Sequence, residues 1–177
     1  MIVRRDTVDD IEAISAGTAA AFGDAARSAP PVEPGGPPGE VTLISWLRAD
    51  PGWIPVLSLV AVDDARIIGH VVATRGDVDG APALGLGPLS VAPEHQGSGV
   101  GAALMHSVLG AADALGESLV CLLGEPAYYR RFGFVPAAAT GVTAPDPLWG
   151  DYFQIRTLTA YEGQAGLFRY AAPFTRL

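Results

Sequence analysis

The sequence predicts a mixed α/β fold, and three observations point to it. Two apolar runs, residues 56–62 and 66–74, are joined by Asp63-Asp64-Ala65 and read as an antiparallel hairpin. Further on, an apolar strand over 83–91, a glycine-rich loop, an amphipathic helix and a second apolar strand over 118–123 follow one another. That order calls for a parallel pair with a right-handed crossover. The 177 residues, 49% of them hydrophobic, suit a single domain, 1–177, with a core of ordinary size.

Taken in order, residues 2–5 read as a first strand. Asp6 or Thr7 caps the helix that follows, with Asp9 in its first turn and Val8, Ile11, Ile14 and Ala19 near helical spacing up to Phe22-Gly23. Prolines and glycines then crowd residues 28–39 and forbid regular structure there. This Pro/Gly-rich loop is either a mobile linker or an ordered loop on the substrate side. Residues 40–49 place Val41, Ile44 and Leu47 at helical spacing and stop at Asp50-Pro51-Gly52. After the hairpin, Asp77-Val78-Asp79-Gly80 makes a second turn into strand 83–91. Gly87-Pro88 interrupts that strand: proline cannot donate to a central ladder and glycine there marks a bulge, so the strand is predicted to be distorted halfway along. Past the glycine loop, Val100, Leu104, Val108, Ala111 and Leu115 share one helix face that ends at Gly116. Residues 127–132 suit a short helix stopped at Gly133, and 134–135, 152–158 and 167–170 suit further strands.

Composition narrows the function classes. A net charge of −8 argues against nucleic acid as a main partner, because phosphate backbones are held by basic patches, and it is compatible with a basic small substrate without by itself showing one. No stretch approaches the roughly 20 continuous apolar residues of a membrane span, and the N-terminus lacks the apolar core of a secretory signal. Cys121, the one cysteine, rules out an intrachain disulfide and sits in an apolar run as a packing residue. A cytoplasmic location is expected. No His/Cys/Asp/Glu spacing suggests a metal, and none is expected.

The stretch richest in chemical content is the glycine loop. Gly97, Gly99 and Gly101 lie between a strand and a helix start, where orphan N–H donors and the helix dipole favour an anion such as a pyrophosphate. A nucleoside-triphosphate P-loop would need a lysine after its last glycine, and the chain contains none. A dinucleotide fingerprint matches Gly97-x-Gly99-x-x-Ala102 in spacing, but Pro93-Glu94-His95-Gln96 separates it from the strand it should follow at once.

The whole string Leu89-Ser90-Val91-Ala92-Pro93-Glu94-His95-Gln96-Gly97-Ser98-Gly99-Val100-Gly101-Ala102-Ala103-Leu104 resembles the acyl-CoA-binding segment of the GCN5-related N-acetyltransferases (GNAT), whose pattern is Gln/Arg-x-x-Gly-x-Gly/Ala after a strand. Downstream, Tyr128-Tyr129-Arg130-Arg131-Phe132-Gly133-Phe134 is similar to the same family's later aromatic motif. The resemblance implies a central mixed, mostly antiparallel sheet, splayed between its fourth and fifth strands and flanked by helices. It also implies transfer of an acetyl group from acetyl-CoA to a primary amine of a small-molecule or peptide acceptor, by direct attack in a ternary complex.

By the same resemblance, the backbone amides of Gln96, Gly97, Ser98, Gly99, Val100 and Gly101 hold the pyrophosphate of coenzyme A, and Ser98 adds its hydroxyl. Leu89 and Val91 line the pantetheine arm, the amide of Leu89 or Ser90 faces the acyl oxygen, and Tyr129 is the general acid beside the cofactor. Tyr128 is a packing aromatic, while Arg130 and Arg131 either neutralise a phosphate or carboxylate or form a solvated face. Glu40 is the candidate base, acting through water, with a helix-cap role as the alternative. His70 points at the cleft or into the core, and His95 and His106 face solvent. Many members carry an asparagine after the fifth strand, whereas this chain has Gly124-Glu125-Pro126, a variant whose acceptors are unassigned. A homodimer is compatible with such folds. The rival reading is a non-catalytic acyl-CoA-binding or regulatory module of the same fold.

Overall fold

The computed structural model describes residues 1–23, 25 and 28–177. Its strands and helices are β1 (Ile2–Arg5), α1 (Ile11–Phe22), α2 (Gly39–Arg48), β2 (Trp53–Asp63), β3 (Arg66–Val78), β4 (Ala81–Val91), α3 (Val100–Ala114), β5 (Leu119–Leu123), α4 (Pro126–Tyr129), β6 (Val135–Pro136), β7 (Val142–Thr143), β8 (Phe153–Thr157) and β9 (Gly166–Arg169), with short 3₁₀ turns between several of them. The first helix begins later than the cap residues suggest. Thr7 donates its N–H (2.7 Å) and its hydroxyl (3.0 Å) to Asp10, and Val8–Asp10 forms a 3₁₀ turn before α1. Arg4 grips the same carboxylate with both terminal nitrogens, at 2.6 and 2.9 Å, and this pairing, with the Thr7 bonds, holds the Asp10 carboxyl well below the usual carboxylate range.

The strands run in the order β1-β2-β3-β4-β5-β8-β6, with β9 against the end of β3 and β7 against β9. Every pair in the main sheet is antiparallel except β4–β5, the parallel pair that the intervening helix requires. The central strands are covered on both faces, so they read as long apolar runs. On one face α3 packs on Leu57, Leu59, Ala61, Val71, Ala73, Leu84 and Leu86. On the other, α1 and α2 bring Ile14, Leu43, Ile44 and Leu47 onto Val60 and Val72. The buried stripe of α3 is Val100, Leu104, Met105, Val108, Leu109 and Ala112. Leu115 lies outside it, 51% exposed, because the helix has closed at its C-cap there and the chain turns through Gly116.

Beyond β5 the chain is built from short pieces. Val78, Ala83, Leu119, Cys121, Phe153, Ile155 and Phe168 form a second core cluster, with Trp149 and Tyr170 packed against it. Cys121 is fully buried, and burial pushes its thiol well above the ordinary range, as befits a packing residue. Among the described residues, no helix is long and apolar enough to cross a membrane, and no group of three or more His, Cys, Asp and Glu is arranged to hold a metal.

Candidate active site

The break in β4 fixes the site. Val71 pairs with Leu89 and Ala73 with Leu86, so the single residue Val72 stands opposite both Gly87 and Pro88. This is a bulge at the predicted place, with Gly87 at φ 146°, a conformation that suits glycine. The parallel ladder to β5 holds only Leu84 with Val120 and Gly85 with Cys121. From Leu86 onward β4 therefore runs on without β5 beside it, while β5 continues to Leu123 with β8 as its partner. The opening between the two strands leaves backbone N–H and C=O groups of β4 without a ladder partner on that side, which a bound extended chain can engage.

At the far end of the opened strand the chain enters the glycine loop. Gly97 and Gly99 have φ of 73° and 94°, and a Cβ at either would meet nothing within 4 Å, so the loop's outer side is open. Residues 96–99 are exposed, and α3 starts at Val100, where the first N–H groups of the helix have no intrahelical acceptor. The loop is braced from within: Gln96 Nε2 donates to the Val91 carbonyl at 3.1 Å and the Ser98 hydroxyl to the His95 carbonyl at 2.6 Å. The Ser98 proton is thus engaged inside the loop, as is the Gln96 N–H, which donates to the Pro93 carbonyl at 3.2 Å. An open cradle of amides at a helix start, with no lysine or arginine between Ala92 and Gly101, fits the pyrophosphate of coenzyme A.

The other wall comes from the aromatic motif. Pro126 opens α4, and Tyr128 and Tyr129 leave it with their rings edge to face, 4.9 Å between centroids. Tyr128 reaches back over the first turn of α3, where a Cβ on Gly101 would lie 2.5 Å from its hydroxyl oxygen. Arg131 sits over the Tyr128 ring, 4.2 Å from its centroid, and donates Nε–H to the Tyr128 carbonyl at 2.9 Å. Tyr129 packs edge-on to Phe134 at 5.9 Å, and burial raises its phenol above the ordinary value. Leu89, Val91, Tyr128 and Tyr129 all border the same apolar cluster under α3. The structure thus gathers the opened strand and the aromatic pair around one core.

Other residues singled out by the sequence lie elsewhere. The Glu40 carboxylate is buried against the foot of the Pro/Gly-rich loop, accepting from the Ser28 hydroxyl at 2.9 Å and the Ala29 N–H at 2.7 Å. His70 points into the core: it is 1% exposed, its Nε2 lies 3.0 Å from the Ser58 hydroxyl, and burial depresses it to about 3, so it is neutral. His106 is exposed beside Phe132, as its helix position suggests, whereas His95 is half-buried in the turn before the loop. Two buried contacts escape sequence reasoning. The Ser90 hydroxyl meets that of Thr18 on α1 at 3.2 Å, and Gln154, 1% exposed, donates to the Gly124 carbonyl at 2.9 Å. The departure at Gly124-Glu125-Pro126 is the one sequence signal that bears on the second.

Residues 56–136 match the family model described as the acetyltransferase (GNAT) domain. The chain is 35% identical over 142 residues to the uncharacterized N-acetyltransferase YhbS of Escherichia coli, spanning 77% of this chain and 84% of that one. It is also 35% identical over 129 residues to the uncharacterized N-acetyltransferase YjhQ of the same species, 68% of this chain and 71% of that one. The crystal structure of E. coli YhbS in complex with CoA superimposes with a TM-score of 0.83 at 31% identity, covering 99% of this chain and 92% of that one. A GNAT family acetyltransferase from Brucella melitensis in complex with acetyl-CoA gives a TM-score of 0.77 at 31% identity, covering 98% and 97%.

Proposed function

This chain belongs to the GNAT family of acetyltransferases, and from that premise we propose that it transfers the acetyl group of acetyl-CoA to a primary amine by direct attack, with both partners bound at once. One observation carries the reading: the edge of β4 freed beyond Leu86 leads straight into an open cradle of amides at the start of α3, with Tyr129 on the opposite wall. The two structural relatives crystallised with CoA and acetyl-CoA cover nearly the whole chain, which supports the same ligand here.

Acetyl-CoA, when bound, supplies a thioester carbonyl open to attack and a sulfur leaving group. The residues have separate tasks around it. The amides of Gly97, Ser98, Gly99, Val100 and Gly101 bind the pyrophosphate, the Gln96 N–H being donated instead to the Pro93 carbonyl at 3.2 Å, and the free edge of β4 near Val91 aligns the pantetheine. A backbone N–H of Leu89 or Ser90 faces the acyl oxygen; such a preorganised donor is worth roughly 10²–10³ in rate. The Tyr129 hydroxyl, which keeps its proton because burial raises its pKa, gives that proton to the departing sulfur, while the proton shed by the attacking nitrogen passes to water, from which the Tyr129 phenolate is reprotonated. Glu40 holds the foot of loop 28–38 with both carboxylate oxygens, a role that orders the acceptor side without moving a proton. The net charge of −8 favours a cationic acceptor, either a small amine or a peptide amine, at the stage of encounter.

The test is release of the CoA thiol from acetyl-CoA on addition of an amine. Release that rises with amine concentration, together with the acetylated amine in the products, is the expected result. Tight binding of acetyl-CoA with a cleft closed over its acetyl end would instead favour a non-catalytic module.

A further inference from the structure

We propose that Gly124 is a positioning residue for Tyr129, held in its place by Gln154. The inference rests on the acid role of Tyr129 given above. A Cβ built on Gly124 would lie 2.9 Å from Tyr129 Cδ2 and 3.2 Å from Cζ, and closer still to Cε2. Gly124 is absent from the glycines with left-handed φ, so glycine stands here for space and not for backbone conformation. The Tyr129 ring occupies the volume that a side chain at 124 would take.

The backbone of residue 124 has no freedom to yield. Its N–H donates to the Tyr152 carbonyl at 2.9 Å, and its carbonyl accepts from Gln154 Nε2, also at 2.9 Å. Gln154 itself is 1% exposed and paired in register with Leu122 of β5, so the clamp is part of the sheet. On its other sides the Tyr129 ring meets Tyr128 at 4.9 Å and Phe134 at 5.9 Å. With the backbone fixed, any side chain at 124 displaces the ring, and with it the hydroxyl, while α4, β5 and the glycine loop stay where they are. Misplacing a reacting group by about 1 Å can cost on the order of 10² in rate.

The experiment is a double-variant cycle with a spectroscopic readout. Gly124→Ala should lower kcat by about 10²-fold, the order expected for loss of a general acid, and leave KM for acetyl-CoA within about threefold. Placed on Tyr129→Phe, the same change should add nothing further, since a displaced phenylalanine has no proton to misplace. In protein labelled with 3-fluorotyrosine, the chain's 5 tyrosines give few enough 19F signals for Tyr129→Phe to identify the Tyr129 resonance. That resonance should shift in Gly124→Ala. Gln154→Met, which keeps the bulk and removes the donor, should shift it as well and lower kcat less; it carries the test if Gly124→Ala fails to fold. An unmoved Tyr129 signal, or losses that simply multiply in the double variant, overturns the proposal. A shifted signal with turnover unchanged in all variants upholds the packing role of Gly124 and removes the acid role of Tyr129 instead.

Discussion

The hydroxyls of Thr18 and Ser90 lie 3.2 Å apart in the interior, joining α1 to the opened strand β4 across 72 positions of sequence. Both residues are almost wholly buried, at 0% and 3% exposure. The side chain of Ser90 is therefore committed to packing on α1. Ser90→Ala should keep turnover within about threefold, a difference of only ~0.6 kcal/mol in barrier. Thr18→Val, which strands the Ser90 hydroxyl, should cost about 1–3 kcal/mol of stability. Steady-state kinetics and urea unfolding of the two variants check this; a large fall in turnover for Ser90→Ala at unchanged stability would assign the hydroxyl a part in the chemistry.

Tyr129→Phe should lower kcat by about 10²–10⁴-fold with the affinity for acetyl-CoA little changed, because the ring and its packing remain. Burial holds the wild-type phenol above its ordinary value, so the proton stays on as pH rises and this group should cause no alkaline loss of rate up to about pH 10. A pH–rate profile of wild type against variant measures both points.

His70 predicts an acid-side loss of stability. Its folded value, depressed to about 3 by burial, lies below the unfolded value of 6.5, so the unfolded chain binds the proton first. The neutral-histidine contribution is complete above pH 6.5 and is lost as pH falls toward 3, at up to about 1.4 kcal/mol per pH unit. Denaturant unfolding of wild type and His70→Gln between pH 7 and pH 4 should show this slope in the wild type only. Parallel curves would contradict it.

Glu40→Gln retains an oxygen to accept from Ala29 and should retain turnover, whereas Glu40→Ala frees the foot of the loop and should raise KM for the amine. Kinetics with the amine varied at saturating acetyl-CoA distinguish the two. A collapse of kcat in Glu40→Gln with unchanged thermal stability would restore Glu40 as the base.

Much of this was legible because its signals are local. The Asp63-Asp64-Ala65 turn, the alternation of strands and one helix across residues 83–123, and the breakers Gly87-Pro88 are all short-range, and each led to the right element. The two-residue strand Val142–Thr143 is different. It is too short to show a period, and it exists because β9 lies beside it. The glycine loop was legible as an open loop at a helix start, but the bracing of Ser98 by the His95 carbonyl depends on a turn geometry that composition does not reveal. Thr18 with Ser90 and Gln154 with Gly124 are contacts between distant segments, set by helix packing and strand register, so a linear reading has no access to them.

The central claim is that the opened β4 edge and the amide cradle bind acetyl-CoA, and thermal unfolding at rising acetyl-CoA concentration tests it most directly. A ligand that binds the native state stabilises it by about 2.7 kcal/mol at a hundred times its dissociation constant. The account predicts a concentration-dependent rise in Tm for the wild type, and none for Gly99→Val, whose side chain is strained at a φ of 94° and stands in the open cradle. A wild-type Tm that does not move at millimolar acetyl-CoA would contradict it.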